Sequence, residues 1–169
     1  MVEVKLPSGE ILKGMLSDEW SLEDIRSLVG RLADLAAAYR QLAIFPGHTF
    51  ASVVAVWDCE KCCPVFFIPL ALLFGQSGAV FGFNRVSKLL TTILAKGGDL
   101  VVSGYYDDFS QLEAEKLAAS AESTLKDVFS TLGFALSTDP AKDIPFSSSV
   151  SPLGVVIDLS ARKEGCGHC

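Results

Sequence analysis

The chain has 169 residues, half of them hydrophobic and 20% charged, which excludes a disordered polymer and supplies the apolar side chains for one domain of the usual ~100–200 residues. Fourteen Lys and Arg against 20 Asp and Glu leave a net charge of −6, so the chain does not grip nucleic acid by overall charge; a polynucleotide needs a local basic patch. Its five cysteines are too few and too unevenly spaced for a secreted disulfide framework, and residues 1–15 hold no apolar signal segment. An intracellular location, cytoplasmic or nuclear, is expected.

Pro7-Ser8-Gly9 predicts a tight turn. Ser21 and Asp24 have the spacing of a capping box and predict a helix from about Leu22, which the helix formers of Leu32–Leu42 could extend. Ala51–Trp57 and Val65–Ile68 read as strands joined by the Asp58–Pro64 hairpin loop. No charge occurs from Cys62 to Asn84, and Val65–Phe83 approaches the length of a membrane span. Pro69, Gly75, Gln76, Ser77, Gly78 and Gly82 interrupt it, so a strand to about Ile68, a loop through Gly78 and the start of a core helix are preferred. Their apolar residues are expected to be buried by the Gln111–Leu132 helix or the sheet.

Ser77–Lys96 has helical apolar spacing and stops at Gly97-Gly98. Leu100–Val102 reads as a buried strand leading to the acidic turn Tyr105-Tyr106-Asp107-Asp108. Gln111–Leu132 is the clearest amphipathic helix, with Leu112, Leu117, Ala121, Leu125, Phe129 and Leu132 on one face and Gly133 as its cap. Phe134–Leu136 and Leu153–Leu159 read as the last strands. The order describes an α+β sheet with helices on one face.

Asp107-Asp108 puts two carboxylates at a strand end. Like charges so close repel, and hard oxygen donors suit magnesium or manganese. Cys59-x-x-Cys62 and Cys166-x-x-Cys169, the latter beside His168, invite a zinc reading, but about a hundred residues separate the pairs. Compact zinc modules keep such pairs within ~15–20 residues, so reduced, partly exposed thiols are preferred. His48 reads as a loop residue.

Asp34-Leu35-Ala36-Ala37-Ala38-Tyr39 resembles the first catalytic motif of reverse transcriptases, an Asp followed by small residues and an aromatic. Leu72-Leu73-Phe74-Gly75-Gln76-Ser77-Gly78 resembles their second motif, with Phe83 where the family places a Phe on the next helix. Tyr105-Tyr106-Asp107-Asp108 matches their Tyr-x-Asp-Asp motif. Lys142 falls at the lysine of the fourth motif, and Leu153-Gly154 with Val155 at the primer-grip strand. The ordered set spans residues 28–160 and is similar to the palm of a retroelement reverse transcriptase, an RNA-directed DNA polymerase.

That resemblance implies a palm-like antiparallel sheet over residues 28–160, preceded by a remnant of fingers or connector in 1–27 and followed by a Cys/His tail in 161–169. It implies incomplete fingers and no thumb. Asp34, Asp107 and Asp108 would hold Mg2+ or Mn2+, with the Leu35 carbonyl as an extra ligand, and Lys142 would be an acid near the leaving pyrophosphate. Tyr39 would crowd the sugar, Gly75 and Gln76 would line the base and template side, Tyr106 would touch the primer end, and Leu153 and Gly154 would form the primer grip. Template-primer and deoxynucleoside triphosphate are the implied partners, bound weakly by this chain, with no membrane. Leu73 and Val80 stand where the family prefers Pro, and the alanines around Asp34 favour a helix that would remove it from the site. The alternatives are a non-catalytic retroelement remnant and a small membrane-associated protein using residues 65–83.

Overall fold

The structure, a computed structural model, describes Ser21, Glu23, Asp24 and residues 27–160. The Pro7–Gly9 turn and the tail holding Cys166, His168 and Cys169 lie outside the described residues. In chain order the strands and helices are β1 (Leu28–Asp34), β2 (Val54–Asp58), β3 (Cys63–Phe67), α1 (Ser77–Gly97), β4 (Val101–Tyr105), β5 (Asp108–Ala114), α2 (Ala118–Thr131), β6 (Ile144–Ser147), β7 (Ser149–Val150) and β8 (Ile157–Asp158).

The Ser21–Asp24 capping box forms: the Ser21 backbone N–H and hydroxyl donate to Asp24 Oδ2 at 2.9 and 2.7 Å, and the Asp24 N–H donates to Ser21 Oγ at 3.2 Å. Lys116 Nζ lies 2.6 Å from Asp24 Oδ1, and these donors hold the carboxyl at a pKa of about 2. The helix does not run on to Leu42. By Leu28 the chain has entered β1, because this segment is the inner strand of a four-stranded antiparallel sheet of order β4-β5-β1-β6. Pairing on both edges and near-continuous burial outweigh the helix propensity of its Leu and Ala residues.

The same competition shortens the expected Gln111–Leu132 helix. Residues 111–114 belong to β5, bonded to β1 on one side and β4 on the other, and the helix starts only at Ala118. Ala121, Leu125 and Phe129 are buried as its core face, whereas Leu132 is exposed. Phe134–Leu136 provides only an isolated bridge, Leu35 to Leu136, rather than a strand. Leu153–Leu159 is also not one strand: Pro152–Gly154 is a 3₁₀ turn with Leu153 at φ 51, and only Ile157–Asp158 pairs, with β7.

Both helices pack on one face of the sheet. Ala33, Val102 and Phe109 meet Phe83, Leu90 and Leu94 of α1 and Leu125 and Phe129 of α2 in a single buried cluster. On the other face Gly30 lets β7 approach: a Cβ there would meet a Val150 methyl at 2.8 Å.

The segment 65–83 is divided as its glycines and proline suggest, into β3, a loop and the start of α1. Among the described residues no helix is long and apolar enough to cross a membrane. The expectation that its apolar residues are buried fails outside α1. β2 and β3 form a separate two-stranded ribbon, and Trp57, Phe66, Phe67 and Ile68 are exposed, as are Leu70 and Phe74 in the loop beyond. Among the described residues no third strand joins this ribbon and no layer covers its side chains.

Candidate functional site

Strand register brings the first carboxylates together. In the β1–β5 ladder Asp34 is directly opposite Asp108, although 74 positions separate them in sequence. Paired residues on adjacent strands project to the same side of the sheet. β4 and β5 are joined by Tyr106-Asp107, a two-residue turn whose first residue has φ 54, a left-handed conformation that costs an L-residue about 1–2 kcal/mol. The Asp107 carbonyl accepts the Leu35 N–H at 3.1 Å, which locks the turn against the end of β1. The possible helical placement of Asp34 is thereby corrected: it ends a strand beside the acidic turn.

Lys142 completes the cluster. Its Nζ donates to Asp34 Oδ2 at 2.9 Å, across 108 positions of sequence. Asp34 is 4% exposed, so the ammonium is the counter-charge of a buried carboxylate. That bond and the surrounding Asp107 and Asp108 charges raise the Lys142 pKa. The Asp108 carboxyl is also pushed up, first by desolvation and then by the Asp107 and Asp34 charges, with Lys142 opposing. Four residues from three separate segments therefore share one electrostatic environment.

The Lys142 turn is itself anchored. The N–H groups of Lys142 and Asp143 both donate to the Asp139 carbonyl at 2.9 Å. The next residue, Asp143, accepts from Arg31 Nη2 at 2.7 Å, and Arg31 is 1% exposed in the sheet between β1 and α2. Arg31 was not singled out by the sequence. A charged residue three positions before Asp34 gives no sign of burial until the strand is known.

Tyr39 is buried on the floor of the same region. Its ring stacks on Phe83 at 4.6 Å and meets Phe74 edge-on at 4.9 Å. Burial, with Tyr106 and Asp107 nearby, raises its phenol pKa. Gly75, at φ 90, and Gln76, the residue before α1, follow Phe74 directly. Leu153 and Gly154 sit in the exposed 3₁₀ turn before β8 and are not in a strand. Cys59 and Cys62 are exposed free thiols in the β2–β3 turn, and His48 lies in a 3₁₀ turn against the Phe45 ring.

Aspartate oxygens are the correct donor type for a hard divalent cation. Their placement does not yet fit one: among the described residues no three His, Cys, Asp or Glu side chains are grouped closely enough to hold a metal ion. One Asp34 carboxylate oxygen is in addition engaged by Lys142.

A second feature borders the turn. An open groove of about 310 Å³ runs between α1 and the β4–β5 hairpin, lined by Asn84, Ser87, Lys88, Gly104, Tyr105 and Tyr106. Gly104 makes the close approach possible, because a Cβ there would collide with the Thr91 hydroxyl. The sequence signal for this groove is a run from Lys61 to Gly98 with no acidic residue, in a chain that is otherwise acidic.

No protein-family model matches the chain, and comparison with curated proteins gives no match.

Proposed function

We propose that the chain is a polymerase palm of the reverse-transcriptase kind, an RNA-directed DNA polymerase domain that is inactive by itself. The observation that carries this reading is the register that sets Asp34 opposite Asp108, with Asp107 in the adjoining turn and Lys142 on Asp34. Motifs recognised separately in sequence thus meet at one end of one sheet, which their spacing alone does not require.

In this reading Asp34, Asp107 and Asp108 would be the ligands of Mg2+ or Mn2+, which requires the carboxylates to draw closer than they stand here as well as release of Asp34 by Lys142. Such ions activate an attacking hydroxyl and neutralise a leaving pyrophosphate. Lys142, with its raised pKa, keeps its proton through the neutral range and holds it at Nζ beside the site. Buried Tyr39, wedged by Phe83 and Phe74, gives the nucleotide sugar a rigid floor. Tyr106, in the acidic turn, would touch the primer end. Gly75 and Gln76, at the mouth of α1, take the template side, and Leu153 and Gly154 the primer grip.

Positioning of reactants accounts for ~7–11 kcal/mol of such a barrier, and a net charge of −6 repels the substrate, so the isolated chain should not extend a primer detectably. With a basic template-primer clamp fused to the chain, magnesium-dependent extension on an RNA template should appear and Asp107→Asn should abolish it. Extension that survives Asp107→Asn refutes the site; template-dependent synthesis by the chain alone refutes its dependence on other segments. The rival reading, a non-catalytic retroelement remnant, draws on the engagement of Asp34 by Lys142, and it requires that no extension appear in either format.

A further inference from the structure

Three thiols crowd the tip of the β2–β3 ribbon. Cys59, Cys62 and Cys63 are exposed and free, and they belong to neither the acidic site nor the groove beside α1. Asp58 and Cys63 are the last paired residues of the ribbon ladder, so Cys59-Glu60-Lys61-Cys62 is the whole loop. Two devices hold its shape. The N–H groups of Glu60 and Lys61 both donate to Asp58 Oδ1, at 3.0 and 3.1 Å, and Cys62 turns the chain back at φ 48, in the left-handed region.

Cys59 and Cys62 are therefore the first and fourth residues of a tight turn, where Cα atoms stand less than ~7 Å apart. A disulfide asks for ~4.4–6.8 Å between them. The Cys62 thiol already donates to the Cys59 carbonyl at 3.6 Å, which holds its sulfur over the residue it would join. Cys63 is the poorer partner for either. It pairs with Asp58 and shares that residue's face of the ribbon, one step behind the loop. A bond from Cys63 to its neighbour Cys62 would close a small ring around a planar trans peptide that resists twisting.

We propose that Cys59 and Cys62 are a redox-active dithiol, which closes to a disulfide across the ribbon turn on meeting a low-molecular-weight disulfide. The Cys59 sulfur attacks one sulfur of the small disulfide and expels one small thiol, leaving a mixed disulfide; the Cys62 sulfur then attacks the Cys59 sulfur and expels the second. Two protein thiols are oxidised by two electrons, and the small disulfide is reduced to two thiols that carry away the two protons. The new bond removes open states of a two-stranded ribbon that no third strand steadies among the described residues. The inference stands apart from the polymerase reading, since only ribbon residues enter it.

The test equilibrates the whole chain with sub-millimolar glutathione disulfide, in EDTA to keep metal off the thiols, then quenches with acid, alkylates and maps tryptic peptides by mass spectrometry. Lys61 lies inside the loop, so trypsin releases the linked pair as two peptides joined by one bond. The expected product is Cys59–Cys62. Mixed disulfide at Cys59 should stay below about a tenth of its level in Cys62→Ser, because an internal thiol acts at an effective concentration in the mM range. Cys63→Ser should leave the yield unchanged. In urea, where Asp58 no longer holds the turn, the yield should fall several-fold. An equal yield in urea would show that the turn does not select the pair and would overturn the site, as would a Cys59–Cys63 bond, a persistent mixed disulfide or no reaction. Hydrogen exchange of the ribbon amides should slow about tenfold on closure, the scale set by lost chain entropy over so short a loop, and unchanged exchange would overturn the fastening of the ribbon.

Discussion

The four-stranded sheet and the β2–β3 ribbon are built from similarly apolar strands and end in opposite environments. In β5, Phe109 is wholly buried between α1 and α2, with its ring 5.0 Å from Phe129. In the ribbon, the equally hydrophobic Phe66 and Trp57 are 64% and 61% exposed. Hydrophobicity of a strand therefore records what it could bury, while its neighbours decide what it does bury. Here two helices cover one sheet, and no described element covers the ribbon.

The contrast is broken most severely from the buried side. Phe109→Ala should destabilise the domain by about 3–5 kcal/mol, since a fully enclosed ring is lost and the close-packed sheet–helix layer cannot collapse around the void. Thermal melting should fall by about 6–20 °C for a chain of this size. A shift below about 2 °C would mean that the sheet–helix layer is not the stabilising unit. Asp143→Asn should follow, at about 3 kcal/mol, measured by urea unfolding. It weakens the 2.7 Å partner of a guanidinium that is 1% exposed and leaves it Glu122 at 3.7 Å, and Arg31 Nε and Nη1 already have no hydrogen-bond partner among the described residues. Arg31→Met removes the charge as well and should cost less than Asp143→Asn.

Those buried polar groups show where sequence reading stops. Helix α1, its Gly97-Gly98 stop, the hairpin and the division of Val65–Phe83 were legible, because glycine, proline and apolar period are local signals. β1 and residues 111–114 were not, because their helix-forming residues are held extended by partners far away in sequence. Asp34 was found through motif order, and its place opposite Asp108 depends on a strand that local propensity argues against. The Arg31–Asp143 support and the α1 groove were missed because each joins side chains that become neighbours only after the sheet has formed.

At the site, repulsion and compensation can be separated. Lys142→Met frees Asp34 from a competing cation and should tighten Mn2+ binding only modestly, because solvent screens an ion pair with one largely exposed partner. Titration followed by electron paramagnetic resonance measures this, and unchanged affinity would show that the ammonium does not compete. Asp108→Asn should raise thermal stability at pH 7. The folded-state pKa of Asp108 lies above its ordinary 3.8, so the native state holds that proton more tightly than the unfolded chain. Stability from this group is greatest below 3.8 and falls as pH rises through the folded value, leaving the full penalty at neutral pH. The gain from Asn should therefore vanish at pH 3. A gain that persisted at that pH would have a cause other than charge.

The smallest effect is expected in the ribbon, where it is most informative. Phe66 pairs across the ribbon with Ala55 and projects largely into solvent, so Phe66→Ser removes little buried surface. Exposed positions of this kind change stability by less than about 0.5 kcal/mol. The urea midpoint of the isolated chain should accordingly stay within error of the parent, while Phe109→Ala moves it strongly. A loss of 2 kcal/mol or more on Phe66→Ser would show that this ring is covered in solution by another part of the chain or by a second copy. Repeating the measurement over a concentration series separates those two, because only an intermolecular cover makes the midpoint depend on protein concentration.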